Sequence, residues 1–134
     1  MDGAAIIREL LVADGDMTAL VPEEQIISGV LPANTPLDAI AITDVSEVDR
    51  NVLAPGATRR VTERVQVTAF GGTYPRMKAA LKAAKEACAD FIGSAAGLAD
   101  VTVHTAAKGP YFMNEQASIH MRSQDFIVGY TQAR

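Results

Sequence analysis

The hydrophobic positions of this chain fall into runs of two periods, and the runs predict its elements. Ile6, Ile7, Leu10 and Leu11 share one face of a helix, with Arg8 and Glu9 off it; Asp2 is placed to cap this helix and Asp14-Gly15 to end it. A short turn over Met17–Val21 is stopped by Pro22, Gln25–Val30 reads as extended, and Pro32 and Pro36 interrupt the chain beyond it. Leu37–Val45 reads as a strand in which Ile40 and Ile42 alternate with Ala39 and Ala41. Ser46–Thr58 is polar with Pro55-Gly56 near its middle, and predicts a long connection of a length that compact domains use when it is functional or mobile. Val61, Val65, Val67 and Ala69 then alternate with Thr62, Arg64, Gln66 and Thr68, the pattern of a strand with one wet face.

The second half repeats the helix and strand signals in a different order. Gly71-Gly72 turns the chain, Thr73 is a good N-cap, and Pro75 stands in the first helical turn, where its missing N–H costs nothing. Met77, Leu81, Ala84, Cys88 and Phe91 come next at helical spacing, flanked by Lys78, Lys82 and Lys85, and Gly93 closes the helix. Val101–Thr105 reads as a short strand. Lys108-Gly109-Pro110 and Asn114–Gln116 mark turns around Tyr111–Met113. Ile119–Tyr130 reads as a final strand with Phe126, Val128 and Tyr130 on one face and Ile127 on the other. No internal repeat is visible. The order helix, strand, strand, helix, strand, strand predicts an α+β fold: a two-layer sandwich with a mixed or antiparallel sheet of about four strands and two helices on one face. At 134 residues the chain is expected to be one domain, 1–134, with a core built from Ile, Val, Leu and Ala, since it holds no Trp and few other aromatics.

Charge changes the picture more than composition does. Residues 59–86 hold seven of the twelve basic groups against two acidic ones, whereas residues 1–58 hold two basic and ten acidic groups. A chain with charge sorted along its sequence is a candidate for charge sorted over its surface, and such a surface suits head-to-tail contact between copies. The plain alternative is a solvated basic helix face without a partner. With a net charge of −4 and a pI of about 5.1, the chain lacks the strongly basic character of proteins that wrap DNA. Cys88 is the lone cysteine, so no internal disulfide can form, and its place on the apolar helix face reads as packing. No signal-peptide pattern opens the sequence, and no apolar run approaches the roughly 20 residues of a membrane helix.

Candidate chemistry is thin. His104 and His120 stand in predicted strands without metal-ligand spacing and read as structural or surface residues. Gly71-Gly72-Thr73 lacks both the Gly-Lys-Ser/Thr ending of a P-loop and the spaced glycines of a dinucleotide site, and reads as a tight turn with an N-cap. Asp14 and Asp16 around Gly15 lack the further ligands of a calcium loop. No Gly-x-Ser-x-Gly, His-Glu-x-x-His or Cys-x-x-Cys motif occurs. Neither a catalytic residue, a cofactor nor a metal is expected.

One resemblance spans roughly residues 4–131. An N-terminal helix is followed by Thr18-Ala19-Leu20-Val21-Pro22, Ile26–Pro32 and the strand Pro36-Leu37-Asp38-Ala39-Ile40-Ala41-Ile42. A long loop leads to Arg64-Val65-Gln66-Val67-Thr68-Ala69-Phe70, a helix opens at Thr73-Tyr74, and the chain ends on Ser123-Gln124-Asp125-Phe126-Ile127-Val128-Gly129-Tyr130. This order resembles the tail terminator (tail completion, head-to-tail joining) proteins of long-tailed bacteriophages and phage-like particles. The resemblance implies a non-enzymatic virion assembly protein that forms a ring, usually a hexamer. The ring caps the tail tube, ends its elongation and offers a surface to the head's neck. It implies three partners: other copies of the chain, the tail tube protein and a head–tail connector or neck protein. DNA would pass through the channel without specific binding, with no membrane partner. The place would be the head–tail junction of the virion, with assembly in the host cytoplasm. Candidate subunit-interface residues are Lys78, Lys82, Lys85, Arg59 and Arg60. Candidate assembly loops are Ser46–Thr58, with Asp49, Arg50 and Asn51, and Lys108–Ala117, with Lys108 and Tyr111. A head-side neck or connector protein, a small-ligand-binding domain or enzyme, and a nucleic-acid-binding module stay open as alternatives.

Overall fold

The computed structural model describes residues 2–32, 34–50 and 58–133. Helix α1 (Asp2–Ala13) matches the first apolar face: Ile6, Ile7 and Leu11 are fully buried. Helix α2 (Gly15–Leu20) replaces the expected turn, because Asp14 acts as its N-cap and accepts the Met17 N–H at 3.0 Å. A 3-10 turn (Glu23–Gln25) leads into β1 (Ile26–Ser28), then β2 (Ala39–Arg50) and β3 (Thr58–Gly71). Helix α3 (Tyr74–Cys88) starts where Thr73 caps it, its hydroxyl accepting from the Arg76 N–H. Strands β4 (Ile92–Ala95), β5 (Leu98–Lys108), β6 (Phe112–Asn114) and β7 (Ile119–Ala133) complete the chain.

The strands form a single curled, mixed sheet of seven in the order β1-β2-β3-β7-β5-β4, with β6 also on β7. Among the described residues only β1 and β2 run parallel; every other pair is antiparallel. This corrects the expected sandwich of about four strands and two helices. The strands missing from that expectation are short edges: β6 is exposed throughout, and Ile92 of β4 is 78% exposed. They pair through backbone and carry no alternating pattern to read. The expected connection over Ser46–Thr58 is corrected at its ends, where Thr58 already belongs to β3, while residues 51–57 lie outside the described residues. Ser46–Arg50 continue β2 opposite Arg64–Arg60, after a register shift between Asp44 and Ser46. Residues 43–48 are exposed, and a strand that is polar on both faces looks like a loop in sequence. Likewise Gly93 does not close α3. The helix stops at Cys88, and Gly93 lies in β4.

Parity along β3 separates the two faces of the sheet. Val61, Val65, Val67 and Ala69 point inward and join Phe126, Val128 and Tyr130 of β7 and Val101 and Val103 of β5 in one cluster with the buried faces of α1 and α3. Each large side chain buried there contributes roughly 1.5–3 kcal/mol. The opposite face is polar and carries the Arg64–Asp125 ion pair at 2.8 Å.

The inward face holds a buried acid. Glu63 is 1% exposed and accepts the Gly3 N–H at 2.6 Å, so a carboxylate from the sheet caps the first turn of α1. A Cβ on Gly3 would stand 2.8 Å from the Glu63 carboxylate, so glycine lets the carboxylate approach this closely without shifting. Tyr130 donates its hydroxyl to Glu63 at 2.7 Å, with Glu47 at 3.2 Å from the same oxygen. Burial opposes the charge on Glu63, but the hydrogen bonds it accepts, those from Tyr130 and Gly3 among them, outweigh burial and hold its pKa below the ordinary value. The neighbouring Asp44 is shifted up by burial and by Glu63.

Two stability predictions rest on this core. A depressed carboxyl stabilises the native state above its ordinary pKa of 4.5, and that contribution disappears as pH falls through the lower native value. Asp44 works in the opposite sense, favouring the native state when protonated. Glu63→Gln should therefore cost about 1–3 kcal/mol at pH 7, and its denaturant midpoint should fall less on acidification below pH 4.5 than the parent's. Parallel midpoint curves would assign the acid sensitivity elsewhere. Cys88 is fully buried, and burial pushes its thiol up to about 12. Cys88→Ser should lower stability by roughly 1–3 kcal/mol, and a thiol reagent should label the native parent only as fast as it unfolds.

Candidate functional site

Helical spacing puts Lys78, Lys82 and Lys85 along one exposed flank of α3, beside the buried Met77 and Leu81. The sheet brings two further cations to the same place. Lys108 ends β5, and Arg122, on the inward parity of β7, faces the start of α3. Lys78, Lys82, Lys108 and Arg122 border a notch of about 130 Å³, with Met77 and Leu81 as its floor and Tyr74 as one wall, and Lys85 stands near enough to act on Lys108. Arg122 donates to the Gly109 carbonyl at 2.8 Å, which holds the turn after Lys108.

Three aromatic rings fasten that turn to the helix. Tyr111 meets Tyr74 edge-on at 5.1 Å between centroids and stacks on His120 at 5.8 Å, and the Tyr111 hydroxyl is hydrogen-bonded to His120 Nδ1. Lys108–Ala117 is therefore partly structured: Phe112–Asn114 form β6 on β7, with Tyr111, Phe112 and Met113 exposed.

No acid stands among the described residues that line the notch. Among the described residues, no ion pair reaches Lys78, Lys82, Lys85 or Lys108, whereas Arg64 pairs with Asp125 and Arg76 with Asp38, the latter at 3.7 Å. Lys108 shows the consequence. Burial, then the positive charges of Arg122, Lys85 and Lys78, lower its pKa.

Five of the residues singled out in the sequence thus converge: Lys78, Lys82, Lys85, Lys108 and Tyr111. Arg59 and Arg60 do not join them. They lie at the opposite end of β3 from α3's first turn, facing Gln132 and Thr131 on β7. Arg60 is committed to its own sheet, donating to the Asp100 carbonyl and to Thr102 Oγ1 at 3.0 Å across the space left by Gly129. Asp49 and Arg50 are strand residues opposite Val61 and Arg60, and Asn51 lies outside the described residues. Tyr74, His120 and Arg122 were not legible as site residues. No spacing links positions so far apart in sequence; only the pairing of β6 with β7 and the return of β7 beside β3 unite them.

A larger groove of about 920 Å³ runs between α1 and the start of β2, lined by Ala4, Ala5, Val12, Ala13 and Ile42. A small-molecule site needs convergent polar groups. The two charged side chains that α1 offers here are engaged with backbone, Arg8 with the Ile26 carbonyl at 3.0 Å and Glu9 with the Ala96 N–H. Among the described residues, no group of three or more His, Cys, Asp or Glu could hold a metal, and no helix is long and apolar enough to cross a membrane.

No protein-family model matches the sequence, and no curated protein sequence matches it. A solved structure does. The chain is similar to a chain of the virion of a native gene transfer agent particle, with a TM-score of 0.68 and 16% sequence identity, over 96% of this chain and 93% of that one. The two share a fold along almost their whole length.

Removing like charge around Lys108 should move its titration. Lys78→Gln with Lys85→Gln should raise the Lys108 pKa toward the ordinary 10.5, read by NMR of labelled lysine Nζ. An unmoved Lys108 would show that these lysines do not share one field.

Proposed function

We propose that this chain is a non-enzymatic structural protein of a phage-like virion. In this reading it forms a hexameric ring that caps the tail tube, ends tube elongation and provides the head–tail joining surface, with DNA passing through the ring. The observation that carries the proposal is the shared fold with a virion chain over 96% and 93% of the two lengths. Two features support it. The order of elements from Thr18 to Tyr130 resembles tail terminators, and the uncompensated cations gather on one flank of α3 while the acidic half of the chain supplies exposed Asp16, Glu23 and Glu24 elsewhere. A closed ring needs two different patches that meet between copies. The tail tube protein and a neck or connector protein are the partners on the two ring faces, and the site of action is the head–tail junction, after assembly in the host cytoplasm.

Native mass spectrometry and electron microscopy test this directly. Rings of six should appear at high protein concentration or on the ends of purified tail tubes, and tubes carrying them should stop growing. Monomers or two-fold dimers alone, with tube protein present, would overturn the reading. Binding to the portal side of heads but not to tubes would make the chain a neck protein instead.

A further inference from the structure

The notch has a counterpart on the same molecule. Helix α2 and the turn after it form a corner that carries exposed Asp16, Glu23 and Glu24, and Leu20 on this corner is 45% exposed. The corner packs against the other flank of α3, where Ala19 and Leu20 border a second hollow with Pro75, Arg76 and Ala79. Basic notch and acidic corner therefore stand on opposite sides of one helix. No contact between them can form within a copy, and a side-by-side array of copies would place one against the other. We propose that the notch is a docking site for the acidic corner of a second copy, with Leu20 entering over Met77 and Leu81 and with Glu23 and Glu24 facing Lys78, Lys82 and Lys108.

Three observations argue for this occupant. At about 130 Å³ the hollow is of side-chain size, well below the roughly 300–1,000 Å³ of ligand pockets. Its floor is apolar and its rim cationic, which suits an aliphatic residue flanked by carboxylates. Its charge is unmet among the described residues, so a docking carboxylate replaces repulsion among lysines with attraction. A nucleic-acid reading needs phosphate contacts spread over a basic surface, whereas these cations converge on one hollow of a chain with net charge −4. The contact is heterologous, so it builds rings or open filaments and not two-fold dimers.

The inference rests on the ring reading, and charge reversal separates the two. All the exchanged residues are exposed, and thermal unfolding would verify that each variant folds. Lys78→Glu with Lys108→Glu, and separately Glu23→Lys with Glu24→Lys, should each raise the protein concentration needed for assembly by about tenfold or more at low salt. An equimolar mixture of the two variants should assemble again, because every contact in an alternating ring then pairs opposite charges. Leu20→Cys on one copy should also form a disulfide with Lys82→Cys on another, and Cys88, being buried, should not compete. Unaltered assembly of either variant, or rings of the parent protein without rescue in the mixture and without the cross-link, would overturn this docking while leaving the ring reading intact. Absence of rings under every condition would remove both. Salt-dependent DNA binding lost in the notch variant, with rings intact, would assign the notch to nucleic acid and also overturn it.

Discussion

The pairing of β3 with β7 is the constraint on which the rest of the structure depends. It runs without a register shift from Thr58 opposite Ala133 to Gly71 opposite His120. Because side chains alternate faces along both strands, this one register decides which residues form the core and which meet water. Val61, Val65 and Val67 share the inner face with Tyr130, Phe126 and Gln124, and the helices pack over them. The same register brings Glu63 under the first turn of α1 and Tyr130 beside it. A slip of one residue would expose the valines, bury Arg64, and leave α1 without its carboxylate. The acid is thus both a cost to the fold and a lock on it: burying a charge is tolerable only where its hydrogen-bond donors stand in place.

The same ladder sets up the notch. Gly71 ends β3 close to the backbone of Met77, so α3 must leave the sheet at this point and return over it. Arg122 then faces the helix from β7, and Lys108 reaches it from β5. Charge that looks merely clustered in sequence becomes convergent in space, with the aromatic contact of Tyr74, Tyr111 and His120 holding the Lys108 turn against the helix. Rigid placement matters for electrostatics. Burial and then the like charges of Arg122, Lys85 and Lys78 lower the proton affinity of Lys108.

What could be read in the sequence was whatever carried its own periodicity. The face of α1, the alternation in β3, the Thr73 cap and the buried stripe of α3 all stand where their patterns put them, since burial on one side imposes the pattern. The seven-stranded sheet was not legible. Strand β1 lies inside the stretch Gln25–Val30 that reads as extended, but β4 and β6 hold four and three residues and owe their existence to a neighbour's hydrogen bonds. The outer half of β2 failed for the opposite reason, being long but exposed on both faces. At the site, the lysines of α3 were visible as a stripe on one helix. Their partners in the notch come from two other strands, and only the sheet topology could add Arg122 and Tyr74 to them.

That exposed half of β2 bears on how copies of the chain can associate. Strand β1 ends at Ser28, opposite Ile42, so beyond Ile42 the outer edge of β2 has no strand beside it among the described residues. An open edge of that length invites indiscriminate pairing with other chains. Three features here work against it. The register shifts between Asp44 and Ser46, which twists the edge, and Asp44 and Glu47 place carboxylates along it. Two copies meeting edge to edge would bring these carboxylates together. The apolar residues on this stretch, Val45 and Val48, are single and separated, and do not make a continuous patch. Backbone pairing is thereby discouraged where it would be least specific. The docking proposed above uses instead a surface defined by side chains, and the notch on α3, with its one sign of charge, offers a selectivity that an open strand edge lacks.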